Sequence, residues 1–353
     1  MNDQRSRGSA YQQAGVDNVS GQRAKDRIGA RIRETFTDGV VGDYGHFGGM
    51  FRSPGTGNVL VSSADSVGTK VLLAVHAGKH AGIGVDLVNH SINDILCTGA
   101  QPLFFLDYFA TSSFDEATLA EVVDGMSRAC REAGCALIGG ETAQLPGIYR
   151  EDTYDLAGFI VGSVPEDQLI DGSEIAPGNV VLGISSEGLH TNGYSLARAV
   201  FGLDGDDSST IRERMNQHIP ELGETLGDSL LRPHRCYLSS VAPVLDSGQI
   251  TGMAHITGGG IAGNLERIIP AGYTAVIDTD SWTAPALFRL IQREGGVSNE
   301  EMFSVFNMGV GFILIVHAEL GEKLAREEDI SVIGRITERG PEDGRVRLLG
   351  VER

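Results

Sequence analysis

Apolar and polar positions along the first half of the chain predict short strands separated by helices. Apolar residues recur at helical spacing across 85–96, which predicts a helix with its polar residues on other faces, and Asn93 and Asp94 lie where they could face a site. A second helix is predicted over 115–133, because its acidic N-terminus suits the helix dipole. Apolar runs predict strands at 59–63, 102–109, 136–138 and 154–161, and the run 102–109 is expected to be buried on both faces.

The second half of the chain repeats this succession of strand, turn and helix. We expect a strand at 180–184, a helix after the turn at 188–193, a helix after the glycines at 258–260 and a buried strand ending at 316. Residues 202–232 are acidic and poorly periodic, which predicts a mobile insertion. The polar stretch 164–178 contains two prolines and is the predicted boundary between domains 1–168 and 169–353. The pattern predicts an α/β protein (α+β type) with more than one sheet.

Composition restricts the class of protein. A chain of 353 residues with 41% hydrophobic and 21% charged residues is long enough for two cores. Its net charge of −19 argues against a nucleic-acid partner, because phosphate backbones are bound by clustered basic residues. The four cysteines form no CxxC pair, and no apolar run is long enough to cross a membrane. We therefore expect a cytoplasmic protein with reduced thiols.

Three carboxylates beside small or flexible residues are candidates for a metal site. Asp65 opens the hexapeptide 65–70, which also holds a glycine and Lys70, and these are the groups that Mg-nucleotide binding needs. Asp94 lies on a predicted helix, and Glu141 lies on a predicted glycine turn. If the three converge, a cation would offset their repulsion. The alternative is that each carboxylate caps a turn.

Two glycine-rich stretches and two histidines are further candidates. Residues 39–49 hold too many glycines for a helix or strand, which predicts a loop that either closes over phosphates or is a plain linker. Residues 257–260 precede a helix and would form a nest of N–H groups for phosphate. His190 and His255 lie beside turns where imidazole could bind phosphate or move a proton, although a lone histidine is more often structural. No P-loop, nucleophile elbow or kinase motif occurs.

Taken together, these segments resemble the phosphoribosylformylglycinamidine cyclo-ligase (aminoimidazole ribonucleotide synthetase) family. The matching motifs occur in the family's order between about residues 11 and 336. They are 11–17 (YQQAGVD), 65–70 (DSVGTK), 82–88 (GIGVDLV), 93–94 (ND), 101–108 (QPLFFLDY), 139–142 (GGET), 145–149 (LPGIY), 190–195 (HTNGYS), 255–260 (HITGGG) and 307–311 (NMGVG).

The resemblance implies an ATP-dependent ring closure in purine biosynthesis. Formylglycinamidine ribonucleotide and ATP would give aminoimidazole ribonucleotide, ADP and phosphate, through an iminophosphate intermediate. The implied fold is two α/β domains. The first, 1–168, would bind ATP and pair with its twin, so that two mixed sheets form a barrel across a homodimer. The second, 169–353, would be a sheet flanked by helices that binds the substrate.

The resemblance also assigns residues. It implies Lys70, His190 and His255 as catalytic residues and Asp65, Asp94 and Glu141 as ligands of Mg²⁺. The implied nucleotide contacts are Gly45, Gly48, Gly49, Asp65, Gly68, Thr69, Lys70, Asn93, Asp94, Gly140 and Glu141. The implied substrate contacts are His190, Asn192, Ser195, Thr257, Gly258, Gly259 and Gly260.

Two positions depart from the family pattern, and two other functions compete with this one. The family usually has glycine where Ser66 stands, and commonly has a lysine where Gly29 stands, with Lys25 or Arg31 as possible substitutes here. One competing function is another ATP-dependent activator of the superfamily, such as a thiamine-monophosphate kinase. The other is a non-catalytic nucleotide-binding subunit.

Overall fold

Six strands from the first half of the chain form one mixed sheet, in the order β1-β2-β3-β6-β4-β5. The computed structural model describes residues 9–205 and 207–351. Neighbouring strands are antiparallel except β4 and β5, which are parallel and joined by helix α5. The strands are β1 (Val40–Val41), β2 (Gly49–Arg52), β3 (Asn58–Ser66), β4 (Gln101–Thr111), β5 (Ala136–Gln144) and β6 (Tyr154–Pro165), and the helices are α1 (Ala10–Gln13), α2 (Asn18–Arg33), α3 (Lys70–Ala77), α4 (Ala81–Leu96) and α5 (Glu116–Glu132).

A second six-stranded sheet comes from the other half, in the order β10-β12-β7-β13-β11-β14. Its strand pairs are antiparallel except β11 with β14. Its strands are β7 (Val180–Ser185), β10 (Ile250–His255), β11 (Tyr273–Asp278), β12 (Val310–Val316), β13 (Ile330–Glu338) and β14 (Val346–Leu349), and β8 (His218–Ile219) pairs separately with β9 (Glu224–Thr225). The helices are α6 (Tyr194–Val200), α7 (Ser208–Met215), α8 (Leu226–Leu230), α9 (Leu238–Leu245), α10 (Gly260–Leu265), α11 (Ala286–Gly295), α12 (Asn299–Val305) and α13 (Ala318–Leu324). The predicted two-sheet α/β fold is confirmed.

Helix α4 lies in the interior, against the inner face of the first sheet. Val59 and Val61 of β3 and Ile160 of β6 point to this face and are fully buried with the apolar residues of α4. Every residue of α4 from Ile83 to Leu96 is buried, including its polar ones. The sequence predicted a helix with one apolar face, whereas in the structure this helix is buried by protein on all sides.

Several local predictions were wrong. The predicted loop 39–49 contains β1 and the start of β2, where a Cβ at Gly48 would lie 2.7 Å from Val61 Cγ1, so this glycine allows close packing. The predicted glycine turn at 139–142 lies inside β5. The strand β4 is not buried on both faces, because Leu103 is 46% exposed. The predicted insertion 202–232 contains α7, β8, β9 and α8, whose apolar residues join a core cluster; Asp206 lies outside the described residues.

Helices α4 and α5 cross at two glycines that allow their backbones to touch. A Cβ at Gly84 would lie 2.0 Å from the carbonyl oxygen of Val122, and one at Gly125 would lie 1.9 Å from that of Ala81. Backbone atoms cannot move aside as a flexible side chain can. The pair therefore fixes the distance between the two helices.

We predict that Gly84→Ala lowers the free energy of unfolding by about 1–3 kcal/mol or more, because overpacking forces the helices apart. Urea denaturation measures this value. The matched control is Gly263→Ala in α10, where a Cβ would meet nothing within 4 Å and where the gain in helix propensity should be neutral or stabilising. Equal stabilities for the two variants would contradict this interpretation of the crossing.

Candidate active site

Two carboxylates, one from β3 and one from α4, meet at the hydroxyl of Ser63. Ser63 Oγ is 2.9 Å from Asp65 Oδ2 and 3.1 Å from Asp94 Oδ2. Ser63 and Asp65 are two residues apart on β3, so both point to the face of the sheet that α4 covers. The structure therefore brings together the predicted Asp65 and Asp94, and their carboxyl groups lie side by side.

Each of these carboxylates also contacts a buried histidine. His90, one turn before Asp94 on α4, places Nε2 3.3 Å from Asp65 Oδ1. His255, the last residue of β10, places Nδ1 2.7 Å from Asp94 Oδ1. The site therefore contains two carboxylate–histidine pairs, and His255 joins it from the second sheet.

The two pairs have different electrostatic states. Burial opposes the charged form of His90, but the neighbouring carboxylates, above all Asp65, raise the pKa of this imidazole to about 9. The same contact outweighs burial at Asp65 and lowers the pKa of that carboxyl. Burial and the Asp65 charge raise the pKa of Asp94, while burial lowers the pKa of His255 well below its usual value. His90 is therefore the charged imidazole of the site.

Thr191 and His234 connect the two histidines of these pairs. His255 Nε2 lies 3.0 Å from His234 Nε2. Thr191 Oγ1 lies 3.5 Å from His234 Nδ1 and 2.7 Å from His90 Nδ1. Ser63, His90 and His234 were not predicted as site residues, and Thr191 was predicted only as part of the motif 190–195. Only His90 left a signal, since it precedes Asp94 by four residues on a predicted helix.

The segment that carries His234 is held by the polar face of α4. Asp86 Oδ1 accepts the backbone N–H of His234 at 2.7 Å, and the Asn89 side-chain amide donates to the carbonyl of His234 at 2.7 Å. Asn93 donates to the carbonyl of Arg235 at 2.8 Å and accepts the N–H two residues further on at 2.9 Å. We call these three residues, Asp86, Asn89 and Asn93, the α4 clamp. The predicted ligand contact Asn93 therefore uses both ends of its amide inside the protein.

Lys70 is buried rather than presented to a ligand. It is 1% exposed, and Nζ lies 2.7 Å from Asp86 Oδ2 and 2.7 Å from the carbonyl oxygen of Arg232. The predicted role of Lys70 in neutralising the transferring phosphoryl group stays a prediction. In this arrangement Lys70 offsets the charge of a clamp residue, because a buried carboxylate needs a partner.

Glu141 does not join the other two predicted metal ligands within one chain. Strand pairing places Asp65, Gly158 and Asp107 in one row, and Glu141 in the next row beside Tyr108. Adjacent rows point to opposite faces of a sheet, so Glu141 lies on the outer face. It is also three strand spacings, roughly 14 Å, from Asp65 along the sheet.

Asp65 and Asp94 fit a magnesium ion. Both offer hard carboxylate oxygens, and their shared contact with Ser63 aims them at one place. The neighbouring Asp65 charge contributes to the raised pKa of Asp94, and a cation would relieve this repulsion.

A metal ion bound by His190, His234 and His255 together does not fit the observed ring positions. Ligand atoms of His190, His234 and His255 lie within 4.8 Å of one another. However, the rings of His190 and His234 are stacked with centroids 3.9 Å apart and planes only 20° from parallel. A metal ion lies near the plane of each imidazole that binds it, and two nearly parallel stacked planes do not meet at one ion.

The other predicted motifs converge beside the carboxylates. Thr69 Oγ1 lies 3.2 Å from Ser195 Oγ, and a Cβ at Gly258 would lie 3.2 Å from Asn192 Oδ1. These contacts join 68–69, 190–195 and 257–260 around one region. Gly259 and Gly260 have positive φ angles of 97° and 63°, which only glycine adopts easily.

His190 and the loop 45–49 complete the region. His190 adopts a φ of +64°, which is strained for a residue with a side chain, and its buried Nδ1 has no hydrogen-bond partner. Phe47, between the predicted contacts Gly45, Gly48 and Gly49, is buried in the core of the second sheet, with Arg267 4.9 Å from its ring centroid. This loop therefore crosses from one sheet to the other.

Comparison with known proteins supports one family. Residues 45–164 match the family described as AIR synthase related protein, N-terminal domain, and residues 176–347 match the corresponding C-terminal domain. The chain belongs to the AIR synthase related family. This confirms the resemblance found in the sequence.

Individual relatives of the family extend over nearly the whole chain. A phosphoribosylformylglycinamidine cyclo-ligase of Alkaliphilus metalliredigens (strain QYMF) is 46% identical over 338 residues, covering 92% of this chain and 94% of that protein. A cyclo-ligase of Desulfitobacterium hafniense (strain DSM 10664 / DCB-2) is 47% identical, covering 88% and 90%. The solved structure of AaThiL complexed with AMPPCP and TMP has a TM-score of 0.65 at 15% identity and covers 92% of each chain, which supports the same fold.

We predict that His90 stabilises the metal-free protein most at neutral and lower pH. Its pKa of about 9 lies above its ordinary value of 6.5, so the folded state binds the extra proton. Its contribution to the free energy of unfolding is up to about 3 kcal/mol. This contribution is complete below pH 6.5 and is lost as the pH rises to about 9. Urea denaturation in EDTA, across this range, compares wild type with His90→Gln. A difference that does not change with pH would contradict the prediction.

Proposed function

We propose that this chain converts formylglycinamidine ribonucleotide and ATP into aminoimidazole ribonucleotide, ADP and phosphate. The observation that carries the proposal is the 46% identity over 338 residues to a protein named for this reaction. The geometry agrees, since carboxylates, a glycine nest and neutral histidines surround one region between the sheets. In the described parts of the chain, no helix is long and apolar enough to span a membrane. Since the reaction consumes ATP, we place the protein in the cytoplasm.

The reaction requires activation of the formyl oxygen, attack by an amidine nitrogen and removal of a proton. The formyl oxygen is a poor leaving group, so transfer of the γ-phosphoryl group of ATP onto it would make an iminophosphate. An amidine nitrogen then attacks the formyl carbon, the C–O bond breaks, phosphate leaves and the nitrogen loses a proton. Phosphoryl transfer depends mainly on positioning and on neutralising phosphate charge.

The residues of this chain meet these requirements as follows. Asp65 and Asp94 would hold Mg²⁺, which neutralises phosphate charge when bound. The nest at 257–260 and the segment 190–195 would bind the substrate phosphate and ribose. Burial lowers the pKa values of His190 and His255 well below the usual value, so both imidazoles are neutral at pH 7. They are the proposed proton-transfer residues of the ring closure.

We predict that Asp65→Asn lowers the rate of Mg-ATP-dependent formation of aminoimidazole ribonucleotide by about 100-fold or more, because it removes one charge from the carboxylate pair. The measurement is product formation with Mg-ATP and the cyclo-ligase substrate. The matched control is Asp167→Asn, which makes the same change from carboxylate to amide at an exposed residue outside the site. Full activity of the Asp65 variant would overturn the metal assignment.

The same assay separates the competing functions. Phosphorylation of thiamine monophosphate by the wild-type protein, without turnover of the cyclo-ligase substrate, would favour the kinase suggested by the fold of AaThiL. ATP binding without turnover of either substrate would favour a non-catalytic subunit. Either result would overturn the proposed function.

We also propose that the chain is a homodimer paired through the outer face of its first sheet. This face carries large apolar side chains in the middle of the sheet, where Phe159 is 45% exposed and Leu103 is 46% exposed. Phe51 and Ile138 extend the apolar surface across β2 and β5. A patch of exposed apolar side chains of this kind marks an interaction surface. A second copy would bury it and form the barrel that the resemblance implies.

We predict that wild type is a dimer by light scattering and that Phe159→Arg is a folded monomer, because a buried unpaired arginine is costly at an interface. Val332→Arg is the control, since Val332 is an equally exposed apolar residue on the second sheet, at 47%. A monomeric wild type, or a dimeric Phe159 variant, would contradict the proposal.

A further inference from the structure

His234 lies in the middle of the buried hydrogen-bonded chain but belongs to none of the motifs that carry the family resemblance. It is 1% exposed, and His255 beside it is fully buried. On one side its Nε2 contacts Nε2 of His255 at 3.0 Å, and on the other its Nδ1 lies 3.5 Å from Thr191 Oγ1. It therefore links His255 to Thr191 and His90, while Ser63 links Asp94 to Asp65.

We infer that His234 is a positioning residue for His255, and through it for the Asp94 carboxylate, in the ring-closure reaction. The inference rests on the proposed function for its effect on catalysis. Its structural basis is the set of contacts that His234, His255 and Asp94 make with one another and with their neighbours. His234 acts only by holding His255 and does not itself contact the substrate.

The His255 ring is oriented by two contacts, one at each nitrogen. Nδ1 is 2.7 Å from Asp94 Oδ1, and Nε2 is 3.0 Å from His234 Nε2. In the hydrogen bond to His234 one imidazole donates and the other accepts, so this contact couples the tautomer of His255 to that of His234. Because His255 is fully buried, water cannot replace a lost partner at Nε2.

The orientation of His255 in turn affects Asp94. The Asp94 carboxylate is held by His255 on Oδ1 and by Ser63 on Oδ2. If the His255 ring turned, Asp94 would lose one of these two contacts. A small displacement of a catalytic group is enough to slow a reaction strongly, since rate depends steeply on geometry.

His234 is itself held too firmly to follow a displaced His255. The α4 clamp binds its backbone, with Asp86 Oδ1 2.7 Å from its N–H and Asn89 Nδ2 2.7 Å from its carbonyl oxygen. Its ring stacks on His190 with the centroids 3.9 Å apart. A rigid support of this kind is typical of residues that orient a functional imidazole.

The test compares two substitutions of His234 that differ in hydrogen bonding. His234→Gln keeps an amide that can reach Nε2 of His255, whereas His234→Leu fills the space without a polar group. We expect the leucine variant to lose about 10-fold to 100-fold in kcat, with KM for ATP and for the substrate changed by less than about threefold. We expect the glutamine variant to recover at least a third of the wild-type kcat. His317→Gln, an exposed histidine at the start of α13, is the control and should match wild type.

Two outcomes of the kinetic test would overturn the inference. One is a leucine variant with kcat within twofold of wild type. The other is an equal loss in the leucine and glutamine variants together with equally lowered melting temperatures, which would indicate a purely structural role.

A second readout does not depend on activity. Long-range ¹H–¹⁵N NMR spectra of the histidine side chains should show one tautomer of His255 in wild type and in His234→Gln, and a changed His255 signal in His234→Leu. Identical His255 signals in all three proteins would overturn the inference. A wild type that makes no aminoimidazole ribonucleotide would overturn the proposed function instead, and the spectra would still decide the role of His234.

Discussion

The burial of polar side chains on α4 is the constraint on which the rest of the structure depends. A helix in the interior that carries Asp86, Asn89, Asn93 and Asp94 is stable only if each of these groups finds a partner, because unpaired buried polar groups are costly. For Asp86, Asn89 and Asn93 the chain supplies partners from a distance of about 140 residues, in the backbone of 234–237, whereas Asp94 contacts Ser63 and His255. The helix and this segment therefore define each other's position.

The candidate site is a consequence of that arrangement. When the α4 clamp holds 234–237, His234 meets His255 at the end of β10, and His255 meets Asp94 on α4 itself. Residues from both sheets thus enclose the carboxylate pair. The charge of His90 offsets Asp65, while Asp94 keeps a raised pKa in a buried place. A cation bound here would attract both carboxylates and the phosphate groups, and would offset the repulsion between Asp65 and Asp94.

Much of the fold and part of the site could be predicted from the sequence. Periodicity located most strands and helices, and the motifs placed Asp65 and Asp94 together. The face on which Glu141 lies could not be predicted, because the pairing of β5, which includes an irregularity beside Leu106, decides which face each residue takes. The burial of Lys70 could not be predicted because its partner Asp86 belongs to a different helix. His234 had no local signal at all, since its importance comes only from distant residues that fold against it.

Amide hydrogen exchange of the segment 234–237 tests most directly whether the α4 clamp holds the site together. In wild type the N–H groups of His234 and Tyr237 should be strongly protected, since each donates to a buried side chain of α4. In Asn93→Ala we expect exchange at both amides to accelerate by about 10-fold or more, while the amides of α5 keep their wild-type rates. Unchanged protection of both amides in that variant would contradict the account.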